Sequence, residues 1–396
     1  INQGSKQRVY FLTSYDKDTP YLVPGENRSY FGKGEESFGN ILRYQRTFGN
    51  GSNVGFLSTN RFYNGGGMGN MFGVDAKIRF NKTYNLDFVY GNSFSEEPNK
   101  DWILSSDVIE GKTVVLDGEK FSGNALSIGF NRISEHWATS IDYDQLSPLF
   151  RADAGFITQN NFREFSFRQN YSNQRDKKVK TYFAEIGTQI RYNFNGKLKR
   201  VHLMPIYSMR FKNGFSFDYA YSYNAFEEYK GDEFKNFASN FIGFRYTPNE
   251  KLSIFSRNLI GKRIAYNISN PEVGKRLRLN LTINYRPNNK LIFSPSISSE
   301  SMKYIGSNEK IYSGYIFRLN SKYQFSNDLS FKIITEYNDF NSSLFMQPLL
   351  KWNPNPSTVF YIGGNTNINH LKESENNWLT DNSQLFLKLQ YLFKIN

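Results

Sequence analysis

The chain reads as an all-β protein, an antiparallel transmembrane β-barrel of roughly 20 strands with short periplasmic turns and long extracellular loops. Three observations predict it. Leu277, Leu279, Leu281, Ile283 and Tyr285 alternate with Arg276, Arg278, Asn280, Thr282, Asn284 and Arg286, so this stretch has one apolar and one polar face, as a strand between two solvents must. Aromatics make up 17% of the 396 residues, with 37 Phe and 27 Tyr, although mean hydropathy is only -0.59. Barrels combine these properties because only alternate residues meet lipid and both interfaces carry aromatic girdles. Finally, no stretch approaches the roughly 20 apolar residues of a membrane-spanning helix, so any crossing is made by strands.

The individual strands follow in chain order. Phe72, Val74, Ala76, Ile78 and Phe80 oppose Gly73, Asp75, Lys77 and Arg79. Phe215, Phe217, Tyr219, Tyr221 and Tyr223 oppose Ser216, Asp218, Ala220, Ser222 and Asn224. Tyr315, Phe317, Leu319, Tyr323 and Phe325 oppose Arg318, Asn320, Lys322 and Gln324, and the last strand sets Leu385, Leu387, Leu389, Tyr391, Phe393 and Ile395 against Gln384, Phe386, Lys388, Gln390, Leu392 and Lys394. In a soluble sandwich with both faces covered, such strands would bury charge, which is costly.

With the C-terminus on the periplasmic side, every second connection counted backwards should be a tight turn. The candidates are Asn353-Pro354-Asn355-Pro356, Ser326-Asn327-Asp328, Pro287-Asn288-Asn289, Thr247-Pro248-Asn249, Lys212-Asn213-Gly214, Ser134-Glu135-His136, Asn81-Lys82-Thr83 and Gly49-Asn50-Gly51, with a longer polar link from Asn173 to Lys178. Gly, Asn, Asp and Pro supply the positive or fixed φ angles that such turns need. Connections in the other phase are longer, notably Asp16–Ser37, Glu96–Gly123, Leu149–Asn161 and Arg263–Lys275. These are the expected extracellular loops. No linker or change of composition divides the chain, so residues 1–396 are expected to form a single barrel domain.

The formal net charge of +13 suggests nucleic acid as a partner, but the basic residues are spread through strands at alternate positions instead of clustering. A lumen or rim meeting acidic solutes and anionic lipid head groups fits that distribution better. The absence of Cys excludes disulfides and thiolate metal sites. His136, His202 and His370 lack partners at ligand spacing, which argues against zinc, and no cofactor is expected. Gly65-Gly66-Gly67 and Gly123-Asn124 lack the helix and Lys-Ser or Lys-Thr pair of a phosphate loop and read as loop or bulge. Glu96-Glu97 and Asp16-Lys17-Asp18 offer oxygen ligands for calcium, yet ordinary solvated loop charge is the stronger expectation.

The segment Tyr143 to Phe156, reading Tyr-Asp-Gln-Leu-Ser-Pro-Leu-Phe-Arg-Ala-Asp-Ala-Gly-Phe, resembles a motif in a Bacteroidota family of outer-membrane proteins of unknown function. Asn53 to Arg61, then Gly73-Val74-Asp75-Ala76 and the ending Gln384 to Ile395, are similar to the same barrel and occur in the same order. Leu149 departs from the pattern, because the family commonly has an acidic residue there. The resemblance implies a periplasmic domain similar to family 9 carbohydrate-binding modules and further barrel strands ahead of the point matching Ile1. It also makes glycan-derived solutes plausible cargo.

Two sets of residues are candidates for function. Arg276, Arg278, Asn280, Asn284, Lys322 and Lys388 are expected to line the lumen. Asp142, Asp144, Arg151 and Asp153 are expected to form either a ligand site or a salt-bridge network anchoring the Leu149–Asn161 loop, the latter favoured because charges inside barrels usually pair. The expected activity is a passage or docking platform in the bacterial outer membrane. The alternatives are a non-conducting subunit of a larger envelope complex, with other outer-membrane proteins as partners, or an enzyme, which the scarcity of His disfavours.

Overall fold

The computed structural model describes residues 2–3, 6–174, 178–370 and 378–392. Among these there is no helix, and the long strands join one antiparallel sheet of 21 strands, the short Asn2–Gln3 included. The fold class predicted from alternation is the one observed. By contacts the chain forms two compact units, residues 1–172, 185–204 and 224–236 in the first and residues 173–184, 205–223 and 237–396 in the second. The boundary between 184 and 185 falls inside the strand Val179–Tyr192, not at a linker.

In the first unit, Gln7–Asp16 pairs with Ser37–Phe48, and pairing continues in chain order through Ser52–Tyr63, Met68–Phe80, Tyr84–Glu96, Lys120–Ile133 and Trp137–Leu146 to Phe162–Gln174. In the second, the part of the strand Asp232–Asn249 from Ser239 onward pairs with Leu252–Ile264. The series then runs through Val273–Tyr285, Leu291–Tyr304, Lys310–Gln324, Leu329–Asn338, Ser343–Asn355 and Thr358–His370 to Trp378–Tyr391. Each of these strands pairs with its neighbour in sequence, so the ladder bonds between them are made locally, as strands in a hydrocarbon medium require.

The apolar stripes lie on the accessible face. Leu277, Leu279 and Tyr285 are exposed, Leu279 to 45%, as are Phe72, Val74 and Phe80. Apolar patches of this extent on a soluble protein would be an aggregation hazard, whereas facing lipid they are in their preferred solvent.

Most expected turns are present. Phe80 pairs with Tyr84 across the three-residue turn Asn81-Lys82-Thr83, in which Asn81 and Lys82 both have positive φ, 50° and 54°. Two turns lie further along than expected. The strand Asp232–Asn249 runs through Pro248 and turns at 250–251, and Ser343–Asn355 runs through Pro354 and turns at 356–357. Proline has no N–H to give the ladder, so in both places the strand continues across an irregularity, between Tyr246 and Asn249 and between Trp352 and Asn355. Part of the link from Asn173 to Lys178, at 175–177, lies outside the described residues, as do Phe393, Lys394 and Ile395.

The four long connections are also observed, and two are more structured than their composition suggests. Residues 17–36 contain the hairpin Pro20–Val23 with Tyr30–Lys33. Residues 97–119 contain two short pairings, Asn99–Lys100 with Leu116–Asp117 and Val108–Ile109 with Lys112–Thr113.

Candidate functional site

In the first unit the long loops pack on one another. Tyr21 and Val23 from the hairpin, Ile103, Val114 and Leu116 from 97–119, and Tyr63 at a strand end form a buried apolar cluster with Trp102 against it. The Tyr21 ring lies 5.2 Å from that of Tyr63 and 6.1 Å from that of Trp102, in tilted arrangements that aromatic quadrupoles favour. Two glycines permit the close approach of residues 147–161. A Cβ on Gly123 would overlap the backbone of Phe150, and one on Gly69 would overlap the carboxyl of Asp153.

This loop carries a buried ion pair into the cluster. Arg151 Nη1 donates to Glu97 Oε1 at 2.5 Å and to the Tyr21 hydroxyl at 3.4 Å, and its guanidinium lies 4.3 Å from the centre of the Phe121 ring. Arg151 is 4% and Glu97 2% exposed. Asp153 accepts a 2.9 Å hydrogen bond from the Tyr63 hydroxyl. Burial pushes the carboxyls of Glu97 and Asp153 up, opposed in both by the positive charge of Arg151.

The four residues expected to act as one network therefore divide. Arg151 and Asp153 join the loop cluster, whereas Asp142 accepts from Ser140 Oγ at 2.7 Å and lies 3.6 Å from Arg168. Asp144 stands in register with Ser127 on one side and Glu164 on the other. The reading of Glu97 as solvated loop charge is corrected: it is buried, because residues 147–161 fold over it and bring Arg151 to it.

Beside this cluster is a polar cavity of about 590 Å³, with Arg28, Tyr30, Asp107, Glu110, Asn161 and Lys230 among its lining residues. Arg28 and Tyr30 both donate to Asp107 Oδ2, and these two hydrogen bonds hold the Asp107 carboxyl below the usual carboxylate range. Asn161 Nδ2 donates to Glu26 Oε2 at 2.5 Å. Glu26 also pairs with buried Lys199, whose ammonium reaches Glu228 on the strand Phe215–Tyr229. The hairpin loop is thus tied to the sheet by a chain of charges. A second cavity of about 420 Å³ shares Glu110 and Asn195 and includes Leu149 in its wall. Such volumes suit a small polar molecule held by donors and acceptors of both signs.

None of these cavity residues emerged from the sequence except Leu149, and that only as a departure from a family pattern. Arg28 and Asp107 are 79 positions apart, and each sits in a loop without periodicity. Their pairing follows from loop packing alone.

The expected lumen residues lie in the second unit. Ladder registers place Arg276, Arg278, Asn280 and Asn284 on the same face as Lys322 and Lys388, through pairings such as Ile292↔Lys322, Lys322↔Lys332 and Tyr361↔Lys388. Arg276 and Arg278 are not bare charges, however. Both bind Glu300, at 2.6 Å each, and Tyr312 donates to the same carboxylate at 2.6 Å. Asn280 accepts from Ser298 Oγ at 2.7 Å and donates to the Arg257 carbonyl at 2.8 Å. Lys388 Nζ lies 6.0 Å from the centre of the Tyr361 ring, and Asn284 is exposed.

No protein-family model and no curated protein matches the chain. Solved structures do. A mutant of the ferric enterobactin receptor PfeA from Pseudomonas aeruginosa superposes with a TM-score of 0.56 at 9% identity, covering 99% of this chain and 74% of that one. The siderophore receptor PirA from Pseudomonas aeruginosa gives 0.56 at 9% identity, covering 100% and 76%. The FrpB iron transporter from Neisseria meningitidis gives 0.53 at 8% identity, covering 98% and 74%. At such identities the likeness shows the fold, which is that of a large outer-membrane β-barrel.

Proposed function

We propose that the protein is an integral component of the bacterial outer membrane that admits or docks a small polar solute, received first in the loop cavity of about 590 Å³. The observation that carries this reading is the cavity itself. Charges in its walls are fixed by pairing, Arg28 and Asp107 with each other and Glu26 with Lys199, which is buried and not itself part of the lining, so donors and acceptors are preorganised toward an uncharged or zwitterionic hydrogen-bonding molecule. Neighbours in fold are named as receptors for ferric enterobactin and other siderophores and as an iron transporter, which supports uptake as the broad class and argues against catalysis. The family resemblance makes glycan-derived solutes the first class to try. The C-terminus then faces the periplasm and the long loops face outward, with lipid, anionic head groups included, around the apolar stripes.

Planar-bilayer conductance of the detergent-purified protein tests the passage. We expect stable conductance with an anion preference that weakens when Arg276→Glu and Arg278→Glu are combined. Because Glu300 offsets one of those two charges, Glu300→Gln should strengthen the preference. Silence from a correctly folded barrel overturns conduction and favours a scaffold subunit of a larger envelope complex.

A further inference from the structure

We propose that Glu97, Asp117 and Glu119 form a binding site for a hard divalent cation of the calcium type at the base of the loop 97–119. One carboxylate oxygen from each lies within 4.8 Å of the others. That spacing is the geometric signature of a common centre: ligands about 2.3–2.6 Å from one calcium ion cannot be more than about twice that distance apart. The backbone supplies the convergence. The Glu97 N–H donates to the Glu119 carbonyl at 3.0 Å, and Asn99 pairs with Asp117, so the two ends of the loop are zipped together with all three carboxylates at the closure.

An independent observation points to a ligand. Glu97 is 2% exposed, its Oε1 is taken by Arg151, and its Oε2 is buried with no hydrogen-bond partner among the described residues. An unsatisfied carboxylate oxygen in a dry site costs on the order of 1–3 kcal/mol or more, and native folds rarely leave one so without a use. The other charged groups at the site are Lys112, 3.3 Å from Glu119 Oε1, and Arg151 on Glu97. Three carboxylates against two cations leave a net negative charge, which a divalent ion would meet. Thr113 holds the remaining oxygens in place, its N–H on Glu119 Oε2 at 3.0 Å and its hydroxyl on Asp117 Oδ2 at 3.0 Å. Asp117 is exposed, so the site is open to water on that side, as calcium coordination commonly requires.

The site makes the loop a clasp. An ion shared by residues 97, 117 and 119 would close the loop at its base and hold Glu97 in the orientation that receives Arg151 from the neighbouring loop.

Calorimetric titration of the chelator-treated, detergent-purified protein with calcium chloride tests this, read together with hydrogen exchange over 97–119. One saturable site and slower exchange in that loop are expected. Asp117→Asn and Glu119→Gln should each weaken binding by about ten-fold or more, and Asp117 is exposed, so its variant should leave the fold intact. Lys112→Met removes a competing cation and should tighten binding several-fold. Absence of saturable binding at about 10 mM calcium, well above the range of extracellular calcium modules, overturns the proposal, as does binding left unchanged by Asp117→Asn and Glu119→Gln together.

Discussion

Arg151 shows how much a single loop residue can organise. Its guanidinium is withdrawn from water among Tyr21, Phe121 and Glu97, and the desolvation is tolerable only because Glu97 is there to meet it. Removing one partner leaves the other charge buried alone, a cost of about 3–5 kcal/mol. Arg151→Met should therefore speed hydrogen exchange across 97–119 and 147–161, while Arg151→Met with Glu97→Gln, which removes both charges, should be less damaging than the sum of the two single changes. A strictly additive pair would contradict the buried ion pair. Asp107, in the cavity lining, supplies a pH dependence. Its carboxyl is held low by Tyr30 and Arg28, so its folded form binds protons less readily than its unfolded form. The tie between the hairpin and residues 105–109 is fully present above the ordinary carboxylate range and is lost as pH falls through the lowered value. Exchange at residues 24–30 should then rise on acidification, and Asp107→Asn should abolish that rise.

At the scale of elements, strands and loops obey different rules. A strand here is specified by its own residues, since Leu277, Leu279 and Leu281 must face one way and Arg276, Arg278 and Asn280 the other whatever lies elsewhere. That is why the strands, the long connections and most turns were legible in sequence. The two displaced turns mark where a local rule met a stronger one: Pro248 and Pro354 read as turn formers, but the sheet absorbed each at an irregularity and carried the strand on. Loops are specified by what they land on. Glu97 and Arg151 are 54 positions apart, and nothing in the residues around either says that the pair will be buried, so the candidate site was visible in sequence only in part, at Arg151 and Asp153 through a motif and at Glu97 as one acid of a charged loop. The landing depends on small residues in the sheet. Gly123→Ala would place a methyl group against the backbone of Phe150, an overpacking that typically costs about 1–3 kcal/mol. Limited proteolysis should then cut within 147–161 far faster than in the parent, with the strands themselves still resistant.

Taken as a whole molecule, the chain places its stability in two different media. The sheet is a ladder whose hydrogen bonds need no water and whose apolar stripes need lipid, whereas the buried apolar cluster of Tyr21, Val23, Ile103 and Leu116 belongs to loops and would form in water as in any small soluble core. The two parts should fail separately. Acid below the ordinary carboxylate range, through Asp107, or loss of the Arg151 pair, should open the loops while the ladder persists, because these side chains hold loops and not the strand ladder. The ladder should yield only when its backbone bonds are broken together, which for a long hydrogen-bonded sheet in detergent demands heat. Unboiled protein should therefore migrate faster on a denaturing gel than boiled protein, and the loop variants Arg151→Met and Gly123→Ala should keep that difference even where their proteolysis is altered. A chain that migrated identically with and without boiling, and that stayed in solution without detergent, would contradict the membrane reading of its exposed leucine and phenylalanine stripes.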